Sequence, residues 1–196
     1  MKVTEIKGNL ITLAENGEFD VIVQGNNCFC VQGAGLAPQM VKAFDTDKFP
    51  MERDSYKGDI NKLGTIDYQI YPTNEVGKNF LTRYDKTMKK GLFKMLNKFA
   101  EEKDDKIEGV FIVNAYTQYE FGKNHSNGTE TPVDYDAVTM VMRKINHKFK
   151  GKHIGIPYLI GCGLAGGDTG RVLGIIEEEL KDMKVTLVKL PNYEER

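Results

Sequence analysis

Short β-branched runs alternate with longer helical patterns along this chain, and that alternation constrains the fold more than any other feature. The strand-like runs lie at residues 2–6, 20–24, 65–71, 110–114, 153–160 and 185–190. The helical patterns lie at residues 35–44, 84–100, 137–149 and 172–180. Strands separated by helices are typical of an α/β fold, so we expect that fold class, with a mostly parallel core sheet.

Length and composition fit one globular domain over residues 1–196. Hydrophobic residues make up 40% of the chain and charged residues 28%, which is ordinary for a soluble domain. The net charge is -1, from 27 basic and 28 acidic side chains. Proteins that bind extended nucleic acid usually carry a basic excess. We therefore expect no extended nucleic acid as a partner, whereas a small nucleotide is compatible with this charge.

The apolar runs are far shorter than the roughly 20 residues that span a bilayer. The N-terminal sequence MKVTEIKGNL has no apolar core of a signal peptide. We therefore expect a cytoplasmic protein with no membrane partner. The oligomeric state stays open.

Three cysteines, Cys28, Cys30 and Cys162, lack the usual spacing of a zinc site. We expect three reduced, partly buried thiols, no bound metal and no cofactor.

Two glycine-rich turns carry the strongest functional signal. Each turn follows a predicted strand and precedes a predicted helix, at residues 33–37 (Gly-Ala-Gly-Leu-Ala) and 161–170 (Gly-Cys-Gly-Leu-Ala-Gly-Gly-Asp-Thr-Gly). Glycine lets backbone amides approach a ligand closely, and a helix that begins just after such a loop presents free N–H groups. Two such turns at the carboxyl edge of one sheet predict a diphosphate site.

Other interpretations of these turns remain open. The glycines could serve only tight turns and close helix–strand contacts. Gly161, Gly163 and Gly166 also fit the dinucleotide fingerprint G-x-G-x-x-G, but little chain remains after them for a second strand and its acidic residue. A Walker motif is absent, since no Gly-Lys-Ser/Thr follows the glycines.

Four segments together resemble the macrodomain family. They are Gly8 to Thr12, the strand and turn Asp20 to Asn27, the turn Gly33 to Ala37, and Ile160 to Asp168. The sequences of the last segment and of residues 114–122 and 133–136 are similar to those of one subgroup. That subgroup is described as ADP-ribose 1″-phosphate phosphatases and includes phage-encoded members. The resemblance implies a three-layer α/β/α fold with a mixed, mostly parallel sheet. It covers most of the chain except about residues 72–105, which we predict to be an insertion.

The resemblance also implies roles for individual residues. Asn9 stands where the family has an acid that contacts adenine, Asn27 matches the asparagine at the distal ribose, and Asp168 matches an acid beside the distal ribose or its phosphate. The implied ADP-ribose-binding residues are Asn9, Leu10, Gly33, Ala34, Gly35, Leu36, Tyr116, Thr117, Gly161, Cys162, Gly163, Leu164, Ala165, Gly166 and Gly167.

The sequence departs from related families at two positions. Relatives that remove ADP-ribose from glutamate or DNA use a lysine shortly after the central strand, where this chain has Thr117-Gln118-Tyr119. Lys123 is a poor match, which argues against a covalent lysyl route. Thr169 replaces an aromatic residue of the subgroup.

We expect hydrolysis of the phosphate ester of ADP-ribose 1″-phosphate, with Asp168 orienting or deprotonating water and Asn27 fixing the ribose hydroxyls. Asp168 as a helix N-cap alone and Asn27 as a turn residue alone remain open. A non-catalytic ADP-ribose reader and a hydrolase that removes ADP-ribose from protein or nucleic acid are the alternative functions.

Several aromatic and histidine side chains are candidates for ligand contacts or for structural roles. Tyr116, Tyr119 and Phe121 could stack on the ligand or pack in the core. His125 lies in a polar loop and could contact phosphate, whereas His147 and His153 are interpreted as structural.

Overall fold

The computed structural model describes residues 3–52, 57–75, 78, 108–122 and 131–192. Within them the strands are β1 (Val3–Lys7), β2 (Val21–Asn27), β3 (Ile66–Pro72), β4 (Gly109–Gln118), β5 (His153–Pro157) and β6 (Lys184–Lys189). They form one sheet in the order β1-β6-β5-β2-β4-β3. Only the pairing of β3 with β4 is antiparallel among these strands. The predicted mixed, mostly parallel sheet is therefore confirmed.

Four helices in the described part of the chain cover the two faces of the sheet. They are α1 (Leu10–Glu15), α2 (Ala37–Phe44), α3 (Tyr135–Lys148) and α4 (Thr169–Glu179). Apolar side chains of α3 and α4 form one core cluster with Val21 and Val23, whereas those of α1 and α2 form a second cluster with Ile22. Because successive strand residues point to opposite faces, β2 supplies both clusters. The result is a three-layer α/β/α arrangement.

Strand β2 lies in the middle of the sheet, between β5 and β4. Val21, Ile22 and Val23 are all fully buried, which explains why the strand reads as a continuous apolar run instead of an alternating one.

None of the helices in the described residues is long and apolar enough to cross a bilayer.

Several element boundaries differ from the sequence prediction. Strand β5 ends at Pro157 and not at residue 160, because the Ile160 N–H donates to the Pro157 carbonyl (2.9 Å) and closes a turn. Strand β4 continues to Gln118. Residues 60–62 form a short 3₁₀ helix between α2 and β3.

Helix α1 was not predicted, because it has only six residues. Its sequence signal is the N-cap Asn9, whose side chain accepts hydrogen bonds from the Ile11 and Thr12 amides. The predicted helix at 84–100, nearly all of the predicted insertion at 72–105 and most of the predicted loop at 122–131 lie outside the described residues.

Substitution of a glycine on β5 tests how closely the sheet packs against the Phe19 ring. A Cβ at Gly155 would lie 2.6 Å from the buried Phe19 ring, whereas a Cβ at Gly174 on α4 meets nothing within 4 Å. We expect Gly155→Ala to cost about 1–3 kcal/mol of unfolding free energy through overpacking. Gly174→Ala should stabilise the exposed helix by up to about 1 kcal/mol. Urea denaturation of both variants measures this difference, and equal midpoints would contradict it.

Candidate functional site

The two glycine-rich turns meet at the carboxyl edge of the sheet. Loop 1 (residues 28–36) follows β2, and loop 2 (residues 158–168) follows β5. Strands β2 and β5 are parallel neighbours, so both loops leave the same edge. A Cβ at Gly35 of loop 1 would lie 3.5 Å from Leu164 Cδ1 of loop 2. The loops are therefore in side-by-side contact, as a shared ligand site requires.

Loop 1 presents unused backbone donors. In the described part of the chain, the N–H groups of Gly33, Ala34, Gly35 and Leu36 have no hydrogen-bond acceptor. Gly35 adopts a φ of 64°, a conformation that favours glycine. Helix α2 begins next, and its N-cap Leu36 makes no side-chain capping bond. Loop 1 thus combines exposed amides with an uncapped helix end, which suits an anion.

Loop 2 uses much of its backbone internally. The amides of Cys162 and Gly163 donate to the Leu159 carbonyl, Gly166 donates to Gly163, and Gly167 donates to Gly161 at 3.0 Å. The motif predicted that the seven amides at 161–167 are available to a ligand. In the described residues, only those of Gly161, Leu164 and Ala165 have no acceptor. Loop 2 is therefore an internally hydrogen-bonded turn that offers fewer donors than its sequence indicated.

Asp168 caps α4. Its Oδ1 accepts from the Arg171 amide at 2.7 Å, and its own amide donates to the Tyr135 hydroxyl at 2.9 Å. The side chain lies at an exposed position beside loop 2. The capping role is therefore present, and the second carboxylate oxygen still allows a further contact.

Asn27 holds the base of loop 1. Its Nδ2 donates to the Val31 carbonyl at 2.8 Å, and its Oδ1 accepts from the Val31 amide at 3.1 Å. The residue is buried at the end of β2. The turn role that the sequence left open is therefore present, although each amide atom keeps one further hydrogen-bonding position.

Asn9 and Leu10 lie at the start of α1. The Asn9 Oδ1 accepts from both Ile11 N (2.9 Å) and Thr12 N (3.2 Å). These bonds occupy the acceptor that was expected to face an adenine amino group, so Nδ2 is the atom left for a ligand. The Leu10 side chain is buried in the core, which leaves its main chain for any contact.

Tyr116 belongs to the core. It is fully buried, and its hydroxyl donates to Asp67 Oδ2 at 2.7 Å. Burial, followed by the Asp67 carboxylate, raises the pKa of Tyr116 well above its usual range. Of the two interpretations of this side chain, packing is the one that the structure supports, because no ring face is left for stacking.

Thr117 lies near the end of β4, next to Gly25 of β2. It is buried, and its Oγ1 has no hydrogen-bond partner in the described residues. A Cβ at Gly25 would lie 3.2 Å from that oxygen and 3.9 Å from the Gly161 amide nitrogen. Thr117 therefore lies beside Gly25 of β2, close to the start of the glycine-rich part of loop 2.

The aromatic residues after β4 form a cluster with loop 1. The Phe29 ring makes edge contacts with Tyr119 (5.4 Å) and Phe121 (5.9 Å), and the Tyr119 hydroxyl donates to the Gly58 carbonyl. Lys123 and His125 lie outside the described residues.

A buried polar network anchors loop 1 to the sheet. The Gln24 Nε2 donates to Asn114 Oδ1 (2.8 Å) and to Gln32 Oε1 (3.1 Å). Thr46 donates its hydroxyl to Gln32 Oε1, and its carbonyl accepts from Gln32 and Asn114. Sequence reasoning missed this network. The sequence signal for it was the polar residue that ends each of two predicted strands, Gln24 at 20–24 and Asn114 at 110–114.

The three cysteines are free thiols. Burial raises the pKa of Cys28 to about 12 and also raises the pKa of the half-buried Cys162. In the described residues no group of three His, Cys, Asp or Glu side chains is placed to hold a metal ion.

No protein-family model matches this sequence. It is similar to an uncharacterized 17.5 kDa protein from the tk-vs intergenic region of Enterobacteria phage T4, which is 27% identical over 195 residues. That match covers 96% of each chain.

Solved macrodomain structures share the architecture. The macrodomain of Thermus aquaticus DarG matches with a TM-score of 0.55 at 18% identity, over 99% of both chains. Thermosipho africanus DarTG in complex with ADP-ribose matches with a TM-score of 0.59 at 15% identity, over 100% of this chain and 43% of that one. The chain therefore has the macrodomain fold, which confirms the resemblance seen in its motifs at the level of the fold.

Substitutions at two glycines of loop 2 test its backbone geometry. A Cβ at Gly167 would lie 2.6 Å from the Gly161 carbonyl oxygen, whereas a Cβ at Gly163 meets nothing within 4 Å. We expect Gly167→Ala to cost about 1–3 kcal/mol, because the backbone must move. Gly163→Ala should change stability by less than about 0.5 kcal/mol. Thermal denaturation compares the two, and a tolerant Gly167→Ala would contradict the loop geometry.

The thiols should differ in reactivity. Cys28 is fully buried with a pKa of about 12, so at pH 8 it has almost no thiolate, which is the reactive form. We expect iodoacetamide to leave Cys28 unmodified in the native protein and to alkylate it after unfolding. Peptide mass spectrometry reads out each site, and rapid native labelling of Cys28 would contradict its burial.

Proposed function

We propose that this protein binds ADP-ribose across loops 1 and 2 and hydrolyses the phosphate ester of ADP-ribose 1″-phosphate to leave ADP-ribose. The observation that carries the proposal is the side-by-side contact of the loops at Gly35 and Leu164, with unpaired amides on loop 1.

The diphosphate is the part of the ligand that this arrangement suits best. Gly33 to Leu36 offer successive amides with no acceptor in the described residues, beside the uncapped end of α2. Such amides bind anions without a cationic side chain and add the positive end of a helix dipole. The macrodomain fold, and the ADP-ribose complex of a protein with that fold, support ADP-ribose as the nucleotide.

The catalytic assignment rests on Asp168, at the end of loop 2, and on Asn27, at the end of β2. Asp168, at an exposed position, takes a proton from water as the water oxygen bonds to phosphorus. The bond between phosphorus and the ester oxygen breaks at the same time, and solvent returns a proton to the ribose oxygen. Backbone amides stabilise the charge that develops on the phosphoryl oxygens. Asn27 keeps the hydrogen-bonding capacity to orient a ribose hydroxyl.

A covalent lysyl route finds no support in the described residues near the end of β4. Thr117 and Gln118 stand where the lysine of that route would be, and Thr117 is buried. The hydrolase that removes ADP-ribose from macromolecules is therefore less well supported than ester hydrolysis.

A reader of ADP-ribose is the second candidate. Asp168 already caps α4, and both amide atoms of Asn27 already bond to Val31. A protein in which these contacts are the whole role of both residues would bind the nucleotide and release no phosphate.

The substitution Asp168→Asn separates capping from catalysis. Asparagine caps a helix about as well as aspartate, but it cannot accept the proton from water. We expect phosphate release from ADP-ribose 1″-phosphate to fall at least about 100-fold, the lower range of general-base catalysis. Calorimetry should show affinity for ADP-ribose unchanged within about threefold, since the diphosphate contacts remain.

Asp136→Asn is the matched control, because Asp136 is an exposed acid in the first turn of the neighbouring α3. Its phosphate release should equal that of the unmodified protein. Normal turnover by Asp168→Asn would overturn the assignment of the base. Tight ADP-ribose binding without any phosphate release by the unmodified protein would favour the reader.

A further inference from the structure

We propose that Arg171 determines specificity for a phosphorylated distal ribose, by pairing with the terminal phosphate beside Asp168. This inference rests on the proposed function. It identifies Arg171 as the residue that distinguishes the phosphorylated substrate from plain ADP-ribose.

Arg171 lies in the first turn of α4, three residues after Asp168. Its guanidinium carbon is 3.8 Å from the centroid of the Tyr135 ring. The hydroxyl of that same ring accepts from the Asp168 amide at 2.9 Å. The ring therefore links the two residues, and it holds the cationic group on the side of the helix end that carries the proposed base.

The Arg171 guanidinium is available to a ligand. In the described residues its side chain has no hydrogen-bond acceptor and no carboxylate within ion-pair distance, and the residue is exposed. Arg143 on α3 is the contrast, because its Nε and Nη2 donate to the two Glu179 carboxylate oxygens at 2.9 and 2.6 Å. A stacked but otherwise unpaired guanidinium keeps all its N–H donors for an anion.

The local charge explains why such a cation is needed. Asp134 and Asp168 bring two carboxylates to the N-termini of α3 and α4, which are joined by the hydrogen bond between Tyr135 and the Asp168 amide. A phosphate monoester adds close to two negative charges at pH 7. Neutral amides alone leave this repulsion unbalanced. The permanent charge of Arg171, next to Asp168, offsets it.

The geometry of the guanidinium suits phosphate over other anions. Its planar fork makes two parallel hydrogen bonds to phosphate oxygens. Stacking on Tyr135 restricts the long side chain before the ligand arrives, which lowers the entropy cost of binding. Tyr135 is thus a positioning residue for both Arg171 and Asp168.

The test compares two ligands, ADP-ribose and ADP-ribose 1″-phosphate, by calorimetry in the Asp168→Asn background, where the ester persists. We expect Arg171→Gln to weaken binding of the phosphorylated ligand about tenfold or more, as loss of a hydrogen bond to a charged group does. Binding of ADP-ribose should change less than about threefold, since its diphosphate lies on backbone amides. Arg171→Lys should restore part of the preference, because it keeps the charge without the fork.

Arg143→Gln is the control and should leave both affinities unchanged. Tyr135→Phe should keep the preference for the phosphorylated ligand, whereas Tyr135→Leu, which removes the stacked ring, should reduce it. Equal losses for both ligands in Arg171→Gln, or no loss for either, would overturn the inference. Failure of the proposed function is a separate result, because a protein that prefers the phosphorylated ligand through Arg171 but releases no phosphate overturns the hydrolysis alone.

Discussion

The parallel pairing of β2 with β5 is the interaction on which the rest of this site depends. The two strands are distant in sequence, yet the pairing of Val21 with Ile154 aligns their carboxyl ends at one edge of the sheet. Each strand is followed by a glycine-rich loop, so the loops come into contact at Gly35 and Leu164 without a dedicated bond between them. A shift of this register would separate the loops and remove the shared site.

The two loops have similar sequences but different chemical properties. Loop 1 precedes an uncapped helix and has successive unpaired amides within the described chain, so it is suited to bind an anion. Loop 2 satisfies many of its own amides and precedes a helix capped by Asp168. It is therefore suited to carry an acid in a fixed position. The two loops therefore differ in what they present, free amides on loop 1 and a carboxylate on loop 2.

Buried polar contacts beneath loop 1 explain how a glycine-rich segment can be held in place. Gln32 is tied through Gln24 and Thr46 to the sheet, and Asn27 is tied to Val31. Buried polar groups are costly unless they are hydrogen-bonded, so these contacts favour one arrangement of the loop. A preorganised set of amides loses less entropy when a ligand binds.

The α/β class, the strands and the glycine turns were predictable from sequence alone, because apolar periodicity and glycine content are local properties of the chain. The sequence left open a capping role for Asp168 and a turn role for Asn27, and the structure shows the bonds to the Arg171 and Val31 amides that make up these roles. The burial of Tyr116 against Asp67 was beyond local patterns, whereas helix α1 was missed because it has only six residues. By itself, then, the sequence determined the α/β class and the positions of the strands and glycine-rich turns. Only the three-dimensional structure decided which amides stay free, because this depends on the backbone path of each loop. It also decided that Tyr135 joins Arg171 to Asp168, because Tyr135 lies far from both in the chain.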